Sequence, residues 1–120
     1  MPTIPFPEAL NHGVLVFDGA MGTELYRHHV FTNRCFDELC LSDPPLIRRI
    51  HADYCDAGAD VLTTNTFGAN RFKLEHHSLT RNITEINARG VELARQALVP
   101  FQPKTEPESE EKPAKPQPKQ

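Results

Sequence analysis

The chain has 120 residues and a formal net charge of -3 at neutral pH, which limits it to at most one small domain. Residues 100–120 hold six of the eleven prolines, four lysines and four glutamates, and very few apolar side chains. Such a segment buries too little surface to offset its chain entropy. We therefore predict a working domain over residues 1–99 and a disordered Pro/Lys/Glu-rich tail over residues 100–120.

Composition also excludes several classes of protein. The net negative charge, which lies in residues 1–99, does not indicate a nucleic-acid surface, and no apolar run approaches the roughly 20 residues of a membrane span. The N-terminal sequence lacks the basic and apolar regions of a signal peptide. Because the three cysteines cannot all pair, we expect a cytoplasmic, soluble chain with reduced thiols that binds neither nucleic acid nor membrane.

The first predicted element is a strand over residues 14–17, VLVF, between Gly13 and Asp18. A continuous apolar run is typical of a strand that is covered on both faces, as in a parallel sheet. A second strand is predicted over residues 59–67, ADVLTTNTF, which is rich in strand-forming side chains.

Two helices are predicted, one after each strand. The first covers residues 43–57, with Asp43 as N-cap, Pro44 in the first turn and Gly58 as its left-handed end. Its apolar face is expected to comprise Leu46, Ile47, Ile50, Tyr54 and Ala57. The second begins near Asn82, with Glu85 completing a capping box, and stops before Pro100; its apolar face is Ile86, Leu93, Ala94, Ala97 and Leu98.

The order strand, helix, strand, helix predicts an α/β fold with one right-handed βαβ crossover and two parallel strands. Two such strands make an incomplete sheet with an open hydrogen-bonding edge. In parallel α/β folds, ligands bind at the carboxyl ends of the strands. Asp18 and residues 64–67 are expected at that edge.

The sequence DGAMGT, residues 18–23, permits three interpretations. Asp and Gly are common turn residues, so a plain turn is one. A phosphate loop is the second, but the spacing G-x-G-x-x-G and the Walker lysine are absent. The third is an amino-acid site, in which Asp18 faces an ammonium group and the glycine-rich backbone faces a carboxylate.

The sequence TTNTFGAN, residues 63–70, places hydroxyls and amides at the end of the second predicted strand. Polar groups are costly to bury without partners, so this cluster indicates a bound ligand. The alternative is that Thr63 and Thr66 only pack and cap, because threonine suits strands.

The histidines and cysteines do not form a metal motif. His28 with His29 and His76 with His77 are adjacent pairs, whose side chains diverge. His51 and Cys55 have helical spacing, but we expect both on the apolar face of the first helix. Cys35 and Cys40 bracket a predicted loop without a matching second pair, so no metal site is expected within this chain. The third cysteine of the sequence is Cys55.

Three motifs, GVLVFDGAMGTEL, LSDPPLIRRIHADYCDAGADVLTTNTFGANRFKL and EINARGVELARQA, together resemble the start of the homocysteine S-methyltransferase domain. The nearest variety is the N-terminal module of cobalamin-dependent methionine synthase. The resemblance covers roughly residues 13–98. It implies a TIM-type (β/α)8 barrel, of which this chain would hold the first two βα units.

By this resemblance the activity is methyl transfer to the thiol of homocysteine, giving methionine. Homocysteine would be the small-molecule substrate, contacted by Asp18, Gly19 and Ala20 from the first strand and by Thr64, Asn65, Thr66 and Phe67 from the second. The family binds zinc through three cysteines, and cobalamin and methyl-folate would act through other domains of the parent protein.

The family's zinc cysteines lie in G-x-N-C and G-G-C-C segments, and neither occurs in this sequence. A complete barrel of this class needs about 250 residues. We therefore expect an N-terminal fragment of the domain that is inactive alone and has no zinc ligands. The alternative is a non-catalytic binding or regulatory module that pairs its open edge with a full-length barrel protein.

Overall fold

A computed structural model describes residues 4–31 and 33–101. Their regular structure is helical. The α-helices are α1 (Phe6–Ala9), α2 (Gly22–Arg27), α3 (Leu39–Ser42), α4 (Pro44–Asp56), α5 (Arg71–Glu75) and α6 (Ile83–Leu98). Short 3-10 turns cover Leu10–His12, Thr80–Asn82 and Val99–Phe101.

The predicted α/β fold class, with the first two βα units of a TIM-type barrel, is wrong for the described residues. They contain no β-strand, only an isolated parallel bridge between Phe17 and Val61. The backbone N–H of Asp18 donates to the carbonyl of Val61 at 3.0 Å, and the Val61 N–H donates to that of Val16 at 3.2 Å. The two segments do lie side by side in parallel, but the pairing is too short for a strand.

The predicted strands do not form because the two segments have too few neighbouring strands and helices. A parallel strand is stabilised by partners on both edges and helices on both faces, whereas segment 14–17 has one partner here. Val14 is 88% exposed, so the continuous apolar run is not covered as the pattern predicted. The two segments remain extended without forming a ladder.

Helix α4 confirms the prediction for residues 43–57. It starts directly after Asp43 with Pro44 in the first turn, although the Asp43 side chain makes no capping hydrogen bond. Gly58 adopts φ +107°, a conformation that favours glycine, and ends the helix. The buried face comprises Ile47, Ile50, His51 and Cys55, while Leu46 and Tyr54 are half-buried and Ala57 is exposed.

Helix α6 confirms the second predicted helix and ends at Leu98, two residues before Pro100. The predicted capping box does not form, because the Asn82 amide donates to the Glu85 carboxylate at 3.0 Å and caps no backbone group. The buried residues repeat every three or four positions: Ile86, Gly90, Leu93, Ala94 and Ala97. The predicted tail lies outside the described residues from residue 102 onward.

The core lies where α3, α4 and α6 pack together. Its main cluster of buried side chains is Leu25, Val30, Leu39, Cys40, Ile47, Ile50 and Leu93. A smaller cluster of Ala69, Leu74 and Ile86 lies beneath α5. Gly90 allows the close approach of α6, because a Cβ there would lie 2.5 Å from Cγ2 of Thr66. No helix of residues 4–31 and 33–101 is long and apolar enough to cross a membrane.

Candidate functional site

Asp18 lies at the end of the segment that pairs with Val61, and it is half-buried. Its backbone N–H bonds to Val61, and its Oδ2 accepts the backbone N–H of Thr63 at 2.9 Å. The side chain therefore ties residues 18–20 to residues 63–67. The two predicted site motifs, which are far apart in sequence, are neighbours in the structure.

The backbone of Gly19 and Ala20 is held by Tyr54 of α4. The Tyr54 hydroxyl donates to the carbonyl of Ala20 at 2.6 Å. A Cβ at Gly19 would lie 3.0 Å from that hydroxyl oxygen, a tighter contact than Cβ atoms usually make, so glycine suits this position. The sequence pattern predicts Tyr54 only on an apolar helix face, because this role depends on a contact between distant segments.

Residues 64–67 satisfy most of their polar groups internally. The Thr64 and Thr66 hydroxyls bond to one another at 2.7 Å. The buried Asn65 amide donates to the carbonyl of Phe36 at 2.9 Å and lies 3.7 Å from the sulfur of Cys40. Phe67, in contrast, is 92% exposed. The hydroxyls of Thr64 and Thr66 and the amide of Asn65 thus have partners within the chain.

A groove of about 520 Å³ opens beside these motifs. Arg34, Lys73, His76 and His77 line it, together with the aromatic rings of Phe36 and Phe67. We call it the cationic groove. Of the predicted site residues, Asn65 and Phe67 line this groove. Asp18, Gly19, Ala20, Thr64 and Thr66 are not part of its lining.

Asp37 was not singled out from the sequence, but it fixes one wall of the groove. Its Oδ2 accepts the backbone N–H of Gly68 at 2.9 Å, and its Oδ1 lies 4.0 Å from the Cys35 sulfur. A Cβ at Gly68 would lie 2.7 Å from Oδ1, so this arrangement also requires glycine. No sequence motif marks this contact, because it joins residues on two different loops.

The three thiols are not gathered into a metal site in the part of the chain that the structure describes. Burial raises the pKa of all three thiols, that of Cys40 to about 11 despite a hydrogen bond from Asn65. Residues 4–31 and 33–101 contain no group of three or more His, Cys, Asp and Glu side chains that could hold a metal ion. The three thiols belong to Cys35, Cys40 and Cys55, and none of them forms a disulfide.

His51 is fully buried on α4, and in the described part of the chain neither ring nitrogen has a hydrogen-bond partner. Burial lowers the pKa of His51, and the negative charge of Asp18 opposes that shift. The ring is therefore held neutral within the apolar core. The prediction that His51 and Cys55 belong to the apolar face is confirmed.

Comparisons with known proteins agree with the motifs quoted above. The sequence profile of the homocysteine S-methyltransferase family matches residues 15–106. Methionine synthases of Mycobacterium tuberculosis and Mycobacterium leprae are 33% and 35% identical over 95 residues. Each of these alignments covers 74% of this chain. Homocysteine S-methyltransferase 4 of Zea mays is 34% identical over 88 residues, 71% of this chain.

The chain spans only a small part of these relatives. The alignments cover 8% of each mycobacterial methionine synthase and 26% of the maize protein. The resemblance inferred from the three sequence motifs is confirmed at the level of the family.

Proposed function

Because this chain belongs to the homocysteine S-methyltransferase family, we propose that its residues 18–20 and 64–67 contribute to the pocket that holds homocysteine for methyl transfer to its thiol. The product of that transfer is methionine. The substrate and the reaction come from the family, whereas the roles of individual residues are argued below from the geometry of this chain.

One observation carries the proposal: the hydrogen bond between Oδ2 of Asp18 and the backbone of Thr63. It joins the two motifs and orients the carboxylate at their junction. Within residues 4–31 and 33–101, the other oxygen of Asp18 takes part in no hydrogen bond or ion pair. That oxygen is available to accept a hydrogen bond from the ammonium group of an amino acid.

The adjoining backbone suits the other end of the amino acid. Gly19 and Ala20 are exposed, and within the described part their N–H groups donate no backbone hydrogen bond. Two consecutive free N–H groups favour a carboxylate. Tyr54 holds the carbonyl of Ala20 and so keeps this backbone in place before the substrate binds. Asp18, Gly19 and Ala20 would thus bind and orient the amino acid without acting on its thiol.

We propose that the 120-residue chain does not itself catalyse methyl transfer. The G-x-N-C and G-G-C-C segments that carry the family's zinc cysteines are not in its sequence. The chemistry assigned to this chain is limited to binding. Purified chain mixed with homocysteine, zinc and a methyl donor is expected to form no methionine, and turnover that depends on the chain would contradict this.

Calorimetric titration with L-homocysteine tests the binding role. Asp18→Asn removes the charge that faces the ammonium group, and a charged hydrogen bond contributes roughly 1.5–3 kcal/mol, so affinity is expected to fall about tenfold or more. Asp56→Asn, at an exposed position on α4, is the matched control and is expected to bind like the parent chain. Equal affinities for the two variants would refute the role of Asp18.

A second function, that of a non-catalytic binding module, is favoured by the exposed apolar segment 14–17. Val14, Val16 and Phe17 are 88%, 54% and 52% exposed. An extended apolar segment with a free edge accepts a further strand. Co-expression with a full-length protein of the family is expected to give a stoichiometric complex, which Val14→Lys weakens. Failure to co-purify would exclude this second function.

A further inference from the structure

The cationic groove has a charge pattern that the proposed homocysteine contacts do not use. Arg34 and Lys73 lie on separate segments, the loop after α2 and helix α5, and both are exposed. The ion pairs of the described residues involve other side chains, namely His12 with Glu8, Arg27 with Glu24, Arg49 with Asp53 and Arg89 with Glu92. Arg34 and Lys73 thus face the groove without an acidic partner in this part of the chain.

Asp37, the carboxylate in the lining of the groove, makes structural contacts. Asp37 is buried, and its two oxygens face the backbone N–H of Gly68 and the thiol of Cys35. Its negative charge remains in the wall of the groove, where the two cations of Arg34 and Lys73 outnumber it. His76 and His77 add ring nitrogens, each able to donate at least one hydrogen bond when neutral. The groove presents two permanent cations and further donors to whatever enters it.

Apart from Asn65, the rest of the lining is apolar or aromatic. Met21 and Phe36 are half-buried, and the ring of Phe67 is 92% exposed. A volume of about 520 Å³ suits a small molecule. Exposed aromatic rings next to cations favour a ligand that has both a flat apolar body and a negative charge.

We propose that the cationic groove binds a small organic anion, with its phosphate or carboxylate on Arg34 and Lys73 and its flat ring against Phe36 and Phe67. This site lies beyond the proposed homocysteine contacts, because Asp18, Gly19 and Ala20 do not line it. It shares Asn65 and Phe67 with them, so an occupied groove would adjoin the amino acid.

Cys35 provides a reporter for this site. It is half-buried and lines the groove, whereas Cys40 and Cys55 are buried. The probe is phenyl phosphate, and the readout is the rate at which iodoacetamide alkylates Cys35, followed by mass spectrometry of peptides. Saturating phenyl phosphate is expected to slow this alkylation several-fold, and added salt is expected to weaken the protection because it screens exposed charges.

Two double variants with equal loss of charge separate the groove from general electrostatics. Arg34→Gln with Lys73→Gln is expected to abolish the protection. Arg71→Gln with Arg81→Gln, at exposed positions outside the groove lining, is expected to keep it. Slow alkylation of Cys40 and Cys55 in each variant confirms that the fold is intact.

Further measurements define the ligand and distinguish the cationic groove from the homocysteine site. Inorganic phosphate and phenol are each expected to protect less than phenyl phosphate, and benzoate shows whether a carboxylate replaces the phosphate. Asp18→Asn is expected to retain the protection, even though it loses homocysteine binding. The proposal would be overturned if phenyl phosphate gave no protection, or protection that does not saturate. It would also be overturned if both double variants were protected equally, or if phenol protected as well as phenyl phosphate.

Discussion

Three hydrogen bonds from separate residues hold the loop of residues 18–20. The backbone and the carboxylate of Asp18 bond to Val61 and Thr63, and the hydroxyl of Tyr54 bonds to Ala20. The sequence indicated Asp18 because this acid ends an apolar run and is followed by glycine, at the position where parallel α/β folds bind ligands. It did not indicate Tyr54, whose hydroxyl acts on a residue 34 positions away.

Removal of the Tyr54 hydroxyl tests this clamp. Tyr54→Phe keeps the ring that packs on Gly19 but leaves the Ala20 carbonyl without its donor. The free energy of unfolding is expected to fall by about 0.5–1.5 kcal/mol, the usual contribution of one hydrogen bond. Urea denaturation measures it. Tyr26→Phe, at an exposed position, is the control, and a Tyr54→Phe variant as stable as the parent chain would show that the hydroxyl of Tyr54 contributes nothing.

The buried ring of His51 makes stability depend on pH. Burial lowers its pKa in the folded chain below the ordinary 6.5, so between these two values the unfolded chain holds more protons. The contribution of His51 to the free energy of unfolding is therefore complete above pH 6.5. It falls as the pH drops from 6.5 to the pKa of the folded chain, and it levels off below that pKa.

Urea denaturation across this pH range measures the effect. His51→Leu is expected to flatten the pH dependence because its side chain does not titrate. His12→Leu, at an exposed position, should leave the slope unchanged. If parent and His51→Leu lose stability equally on acidification, other groups carry the pH dependence.

Among the elements, the two long helices could be predicted and the extended segments could not. Helices α4 and α6 have 13 and 16 residues, enough for a helical repeat of apolar side chains to be read from the sequence. Segments 14–17 and 59–67 carry strand-like side chains, but a strand depends on partners that local sequence does not specify. Helices α2, α3 and α5, of four to six residues, are too short to show a repeat.

The packing of α6 against residues 65–66 depends on Gly90. A Cβ at this position would lie 2.5 Å from Cγ2 of Thr66, and backbone of Asn65 lies at 3.7 Å. We expect Gly90→Ala to lower the free energy of unfolding by about 1–3 kcal/mol, the usual cost of overpacking, despite its better helix propensity. Urea denaturation is the measurement.

Gly22 in α2 supplies a matched control for Gly90. A Cβ there would lie 3.5 Å from Phe36, an ordinary contact. Gly22→Ala is therefore expected to leave stability unchanged or slightly higher. If Gly90→Ala proved as stable as Gly22→Ala, the close approach of α6 would be refuted.

At the scale of the whole molecule, the described part leaves many large apolar side chains uncovered. Besides segment 14–17, Ile4, Phe6, Leu10, Phe67 and Phe72 are about half exposed or more. Exposed apolar surface next to a free edge favours association between chains. The predicted open edge of a parallel sheet is wrong for the described residues, because no strand forms along it.

A lysine at Val14 is expected to reduce self-association. Val14 is 88% exposed, so Val14→Lys costs little burial and places a charge on the edge. Sedimentation velocity over a range of concentrations should show less association than in the parent chain. Val99→Lys, which adds the same charge at a position 63% exposed beyond α6, should associate like the parent. If Val14→Lys and Val99→Lys reduced self-association equally, net charge alone would explain the reduction.

The joint use of residues 18–20 and 64–67 by homocysteine is open to direct observation by NMR. Titration of the isotope-labelled chain with L-homocysteine is expected to shift the amide signals of Gly19 and Ala20 together with those of Thr64–Phe67, with one dissociation constant for both groups. L-alanine, which lacks the thiol side chain, should shift the first group with little effect on Phe67. Unchanged signals in either group at saturating homocysteine would contradict a shared site.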